Sequence, residues 1–264
     1  MGCSKNLIDS ERIIRRLHAK GYDAVHDSGN PEGEYVVVNT CGFIADAKEE
    51  SIEMLLDLAK LKQEGKIGKI VAMGCLTQRY REELTTELPE IDIMLGKFDW
   101  GNFIDSLPDL KDTAKPKQWE RELTTPPHSA YLKISEGCNR FCAFCAIPLI
   151  TGRHTSRTIE EILEETESLV AKGVKEFNVI AQDLSSYGID IYGSHKLAEL
   201  IDRMAGIKGV EWIRLHYAYP ADFPFDILDV MARHENVCKY IDIALQHVSD
   251  KVLNNMRRHI TKEE

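Results

Sequence analysis

Three cysteines, Cys138, Cys142 and Cys145, stand in the run Glu136-Gly137-Cys138-Asn139-Arg140-Phe141-Cys142-Ala143-Phe144-Cys145. Three thiolates in one loop can hold three corners of a four-iron cluster, and such clusters ordinarily take four cysteines. One iron is then left open for chemistry, much as an open coordination position separates catalytic from structural zinc. Two plainer readings compete. A zinc knuckle needs a fourth Cys or His, and the nearest downstream histidine is His154, nine residues past Cys145 and behind Pro148. Simple burial would be an unusual crowding of free thiols.

Three more cysteines are scattered. Cys3 precedes an amphipathic stretch with Leu7, Ile14 and Leu17 on one face, Cys41 follows the apolar run Val36-Val37-Val38-Asn39, and Cys75 follows Lys69-Ile70-Val71-Ala72-Met73. By spacing alone they are equally readable as buried core thiols. Their shared placement favours a second cluster, because open parallel sheets bind ligands beyond the carboxyl ends of their strands. Cys238 falls outside both sets, at the entry to a strand-like run, and reads as structural.

The elements that must position these thiols are legible in the periodicity. Buried-type strands at 36–39, 69–73 and 91–94 alternate with helical patterns at 44–62 and 78–88, which predicts an amino-terminal doubly wound parallel α/β domain over residues 1–105. Pro108, Pro116, Pro126 and Pro127 among charged residues predict a linker over 106–129. Over 130–264, strands at 132–135, 176–181, 211–216 and 240–245 alternate with helices at 159–172, 196–204 and 225–233. These are four βα units of the barrel kind, whose functional loops follow the strands. Thr158 with Glu161 forms a capping-box pattern, and Gly173 marks that helix's end. The acidic residues Glu160, Glu161, Glu164, Glu165 and Glu167 read as its solvated face.

On this reading the cysteine loop follows the first barrel strand and Gln182-Asp183 the second. Arg214 and His216 lie late in the third, and Gln246-His247 close the fourth, so that all face one mouth. Each polar residue has the alternative of being an ordinary turn residue, and His216 and His247 lack metal-ligand spacing. Four units do not close a barrel, no strand precedes Cys3, and 262–264 reads as the start of another helix. The chain therefore reads as truncated at both ends, with an incomplete barrel.

A chain of 264 residues, 43% hydrophobic, can bury two cores. Its formal charge of -10 argues against a broad grip on phosphates, so no direct nucleic-acid binding is expected. No apolar run approaches the roughly 18 residues that span a bilayer, and no apolar signal core follows Met1. Seven cysteines, three of them packed together, do not resemble a secreted disulfide framework. A cytoplasmic protein with no membrane partner is expected.

The CxxxCxxC spacing, with Phe144 before the last cysteine, resembles the signature of the radical S-adenosylmethionine (SAM) enzymes. The resemblance implies that the open iron chelates the amino and carboxylate groups of SAM, that an electron from the cluster cleaves SAM to a 5′-deoxyadenosyl radical, and that Phe144 lies against SAM. An ordinary core aromatic is the other reading of Phe144. The contexts Gly2-Cys3-Ser4-Lys5-Asn6, Asn39-Thr40-Cys41-Gly42-Phe43 and Gly74-Cys75-Leu76-Thr77-Gln78-Arg79-Tyr80, ahead of the tight triad, resemble the methylthiotransferases. That family implies two 4Fe-4S clusters, the first on Cys3, Cys41 and Cys75 and the second, SAM-binding, on Cys138, Cys142 and Cys145. Gln182, Asp183 and Arg214 fall on the SAM side.

The runs Ile180-Ala181-Gln182-Asp183, Arg214-Leu215-His216-Tyr217-Ala218-Tyr219-Pro220 and Leu245-Gln246-His247 resemble the branch that acts on a ribosomal protein. The resemblance implies addition of a methylthio group to the β-carbon of one aspartate in small-subunit ribosomal protein number twelve, with an electron donor such as flavodoxin. A carbon–hydrogen bond of that kind has no useful acidity, which accounts for two metal sites and no evident catalytic base. The alternatives are a tRNA adenosine methylthiotransferase and a non-catalytic iron-sulfur or zinc module. One departure is Thr151-Gly152-Arg153, where the family often has Arg-Gly; Arg153 and Arg157 read as surface cations.

Overall fold

The computed structural model describes residues 2–264, which form two compact units dividing between Thr124 and Thr125. The first contains α1 (Ser4–Lys20), β1 (Gly33–Thr40), α2 (Ala45–Gln63), β2 (Ile67–Gly74), α3 (Cys75–Arg79), α4 (Arg81–Glu87), β3 (Ile93–Met94) and α5 (Trp100–Ser106). Its strands are parallel in the order β1-β2-β3. Successive side chains of a strand point to opposite faces, and both faces are apolar here. Val38, Ile70 and Ala72 pack with Leu55, Leu58 and Ala59 of α2, while Val37 and Met73 pack with Ile13 of α1 and Ile104 of α5. The sheet is doubly wound, as the periodicity predicts. Each such leucine or isoleucine contributes about 1.5–3 kcal/mol on full burial.

One predicted element differs. The helical pattern at 78–88 becomes two short helices, the first starting at Cys75 and breaking at Tyr80 (φ −127°). Gly74 makes the early start possible: at φ 107°, ψ −154° it occupies a region that is essentially glycine's alone, and a Cβ there would stand 2.5 Å from the Thr40 carbonyl. Strand β2 thus turns directly into α3. The proline-bearing segment after α5 lies along α1. Leu110 N–H donates to the Lys20 carbonyl at 2.7 Å, the buried Arg121 guanidinium pairs with buried Glu11, and Thr124 N–H donates to Glu11 Oε1 at 2.8 Å.

The second unit runs β4 (Ser129–Lys133), β5 (Ser135–Glu136), α6 (Ile147–Thr151), β6 (Thr155–Ser156), α7 (Ile159–Ala171), β7 (Glu176–Ile180), α8 (Ile189–Tyr192), α9 (Leu197–Ala205), β8 (Trp212–Ala218), α10 (Ile227–Arg233), β9 (Val237–Ile243) and α11 (Asp250–Asn255). Strands β4-β7-β8-β9 form a parallel sheet in sequence order, four staves of a barrel. Leu132, Phe177, Val179, Ile213 and Leu215 are buried on one face, while Tyr131, Asn178, Arg214 and His216 alternate with them on the other and keep partial exposure. Helices α7, α9 and α10 supply the apolar cover, with Ile162, Leu169, Leu200, Ile201 and Ile227 buried.

The N-terminus of α7 is half a capping box. Thr158 Oγ1 accepts from Glu161 N–H at 3.3 Å, but the Glu161 carboxylate accepts from Arg157 Nε at 2.9 Å instead of reaching back. Arg157 also donates to the Lys133 carbonyl at 2.8 Å and pairs with buried Glu165 at 2.7 Å. Its side chain is 14% exposed, so Arg157 is a structural clamp and not the surface cation expected from sequence. Beyond α11, Thr261 N–H donates to Glu264 Oε2 at 2.9 Å and Glu264 N–H to Thr261 Oγ1 at 3.4 Å. No helix among the described residues is long and apolar enough to cross a membrane.

Candidate functional site

The loop carrying the tight triad leaves β5 and returns as β6, and these pair antiparallel through Ser135 with Ser156 and Glu136 with Thr155. Above that ladder Cys138 N–H donates to the Gly152 carbonyl at 3.2 Å, and His154 N–H donates to Asn139 Oδ1 at 3.2 Å. Gly137 sits at φ 80° with no room for a Cβ against the Arg153 carbonyl. Phe141 takes φ 49°, turning the chain between the first two cysteines.

Burial pushes the Cys138 thiol up to about 11, and Cys145 and Cys142 are near enough to push it further the same way. Burial raises Cys145 too. Thiols of this kind give up their protons to a metal, not to water at neutral pH. Two of the sulfurs have an N–H donor: Arg140 N–H for Cys138 at 3.5 Å and Arg258 Nη1 for Cys142 at 3.4 Å. Such donors suit thiolates bound to an iron-sulfur cluster, whose electronics respond to hydrogen bonds on sulfur.

Among the described residues no three His, Cys, Asp or Glu side chains converge as a single metal ion requires. A four-iron cluster attaches each thiolate to a different iron, and three cysteine thiols carried on one loop supply the donors for three of its irons. His154 does not complete a zinc set. Its ring is buried, Nε2 bonds Ser156 Oγ at 3.1 Å, and desolvation lowers its pKa.

Arg140, between the first two cysteines, fastens the loop to the strand ends. Its Nε donates to Asp183 at 2.8 Å, Nη1 to Asp222 at 3.0 Å, and Nη2 to Ser186 Oγ at 3.3 Å and the Ala221 carbonyl at 3.0 Å. Burial works against its charge, but Asp183 and Asp222 outweigh burial and raise its pKa. Tyr219 lies between two guanidinium groups, Arg140 at 4.3 Å and Arg258 at 4.1 Å from its ring centre.

The predicted SAM-side residues separate. Asp183 is buried and fully engaged, holding Arg140 and accepting from Ser185 N–H at 2.9 Å and Ser186 Oγ at 2.7 Å. Gln182 donates Nε2 to Glu136, which also takes Lys133 Nζ at 2.7 Å, and its buried Oε1 has no hydrogen-bond partner. Phe144 is 55% exposed beside Cys145. Arg214 is not late in its strand: β8 extends to Ala218, and Arg214, opposite Asn178, pairs with Glu176 in the first residue of β7 at 3.8 Å. It does not join the cysteine loop. His216 bonds Asn178 Oδ1 at 3.2 Å and stands 3.7 Å from Asp242, while Gln246 and His247 are exposed.

Sequence reasoning missed Arg140, Tyr219, Glu136 and Arg258. Arg140 and Glu136 lie within or beside the cysteine run and Tyr219 within the Leu-His-Tyr run; Arg258 carried no signal at all.

In the first unit, Thr40 and Gly74 are register partners, so Cys41 and Cys75 leave adjacent strand ends together. Asn6, 1% exposed, joins the start of α1 to both: its Nδ2 donates to the Thr40 carbonyl at 3.1 Å, and its Oδ1 accepts from Cys75 Sγ at 3.6 Å. Asn39 Nδ2 donates to the Asn6 carbonyl at 2.8 Å. Cys3, the exposed N-cap of α1, is thereby tied to the same sheet edge. Ser51 holds Cys41, its Oγ accepting from Cys41 N–H at 3.0 Å.

Comparison with known proteins agrees with this anatomy. The family model for the radical SAM superfamily matches residues 132–264, and that of uncharacterized protein family UPF0004 matches residues 1–96. A protein of Phocaeicola vulgatus named ribosomal protein uS12 methylthiotransferase RimO is 58% identical over 100% of this chain and 61% of its own length. One so named from Flavobacterium johnsoniae is 46% identical over 99% of this chain and 60% of its own. The chain thus spans about 60% of the length of the curated relatives it matches. Among solved structures, the radical SAM methyltransferase TsrM from Kitasatospora setae superposes with a TM-score of 0.64 at 14% identity, covering 99% of this chain and 60% of that one. The cobalamin-dependent SAM radical enzyme OxsB gives 0.57 at 14%, covering 98% and 39%. At such identities the likeness concerns the fold alone. With four parallel staves, a three-cysteine loop at their carboxyl ends and a family match over that half of the sequence, the chain belongs to the radical SAM superfamily.

Proposed function

We propose that this chain is the greater part of a methylthiotransferase that modifies the β-carbon of an aspartate in small-subunit ribosomal protein uS12. The observation that carries the reading is the pair of cysteine triads, each at the carboxyl edge of its own parallel sheet, in a chain 58% identical throughout to relatives bearing that name. Cys138, Cys142 and Cys145 hold one 4Fe-4S cluster and Cys3, Cys41 and Cys75 the other. Bound with SAM, the cluster on Cys138, Cys142 and Cys145 would supply the one-electron chemistry needed to activate a carbon–hydrogen bond without useful acidity.

The chain's own residues bind and orient. Arg140 and Asp183 fix the cysteine loop. In this reading Gln182, whose buried Oε1 has no hydrogen-bond partner, receives a donor such as the SAM amino group, and the exposed Phe144 covers the bound molecule. Asp183 acts through Arg140, and Arg214 belongs to the strand face further down. The protein works in the cytoplasm with a reductant of the flavodoxin class.

Mass spectrometry of uS12 and of tRNA from cells lacking the gene tests the reading. Loss of a mass corresponding to one methylthio group from the uS12 aspartate, with tRNA unchanged, is expected. Loss from tRNA adenosine with uS12 intact overturns it.

A further inference from the structure

The cation facing the tight triad comes from the far end of the unit. Arg258, 3% exposed, lies beyond α11, 116 residues from Cys142, and donates Nη1 to Cys142 Sγ at 3.4 Å. Its Nη2 donates to the Ala244 carbonyl, its own carbonyl accepts from Tyr219 Oη, and its guanidinium lies over the Tyr219 ring. The backbone beside it is fixed as well, the Met256 carbonyl accepting from Ala143 N–H at 3.0 Å within the cysteine loop. Ile260 packs against Cys142, Tyr219 and Ala221.

Two features need explanation. Arg258 has no carboxylate partner among the described residues, and its buried Nε lacks any hydrogen-bond partner. Arg140, in the same neighbourhood, has two carboxylates. Burying an unpaired guanidinium is costly, so the anion that compensates it has to be something else. Secondly, Cys138 takes its N–H donor from the backbone two residues on, whereas the donor to Cys142 is a charged side chain.

We propose that Arg258 is the counter-ion of the cluster held by the tight triad, and that its charged hydrogen bond to Cys142 raises the cluster's reduction potential. The inference rests on the cluster assignment given above. One-electron reduction adds a negative charge to the cluster and nothing to Arg258, so a fixed positive donor on a ligand sulfur stabilises the reduced form more than the oxidised one. Hydrogen bonds to sulfur and local charge are among the determinants of iron-sulfur potentials. Easier reduction by the cellular donor is the functional gain.

The test is an anaerobic potentiometric titration of the reconstituted chain, followed by electron paramagnetic resonance with and without SAM. The signal that moves on adding SAM marks the open-iron cluster. Arg258→Met should retain iron and shift that cluster's potential negative, and Arg258→Lys, which keeps the charge but cannot reach both Cys142 and Ala244, should shift it less. An unchanged potential in Arg258→Met overturns the proposal. If Arg258→Met fails to hold iron, Arg258→Gln, which removes the charge but keeps an N–H donor, decides: a negative shift supports the proposal and an unchanged potential overturns it. Absence of any SAM-responsive cluster in the unsubstituted chain overturns the cluster assignment itself, an outcome distinct from an unmoved potential.

Discussion

Arg140 meets four acceptors from two segments that follow β7 and β8, and through Asp183 it depends on a carboxylate that is 1% exposed. Removing the guanidinium leaves that carboxylate buried and unpaired, at a cost of about 3–5 kcal/mol. Arg140→Met should therefore lower unfolding free energy by that order in urea titrations. The Arg140→Met/Asp183→Asn double variant should lose less than the sum of the single losses, and strict additivity would exclude the coupling. His154 gives a pH signature. Desolvation depresses its pKa in the folded chain below the ordinary 6.5, so on acidification the unfolded chain takes up the proton first. The stability this neutral ring contributes is complete above 6.5 and is lost as pH falls through that value toward the folded one. Melting temperature should drop across this window and drop less in His154→Gln; parallel profiles for the two proteins would refute the assignment.

At the scale of elements, the sites depend on how abruptly strands end. Gly74 lets β2 pass into α3 without a loop, which brings Cys75 level with Cys41. Gly74→Ala forces a side chain into a glycine-only conformation against Thr40, so it should cost on the order of 1–3 kcal/mol and loosen iron retention by the first unit. Denaturation and iron content measured on one preparation check both effects. The helix pattern at 78–88 broke because its register was legible but its start was not: no N-cap residue marks Cys75, and only the backbone twist at Gly74 permits that start. Helix α7 is the contrary case, its Thr158 cap being written in the sequence. Thr158→Ala should remove about 1 kcal/mol.

At the scale of the whole molecule, two sheets carry two triads, and each is a separate ligand set. Reconstitution should give about eight irons per chain, and replacing Cys138, Cys142 and Cys145 with Ala should leave about four, as should replacing Cys3, Cys41 and Cys75. Loss of all iron from either triple variant would mean that the triads serve one centre. The sequence by itself determined the strand and helix alternation, the two domains' class and the six cysteines, because periodicity and cysteine spacing are local properties of the chain. It also placed Gln182-Asp183 directly after a strand. Tertiary structure decided what those residues do. Asp183 is consumed by Arg140, Arg214 stays down the strand with Glu176, Arg157 pairs with buried Glu165, and Arg258 crosses 116 residues to reach Cys142. Those outcomes turn on which long side chains find a partner once distant segments are packed, and burial makes an unpaired charge too costly to leave. No local pattern of residues encodes such a choice.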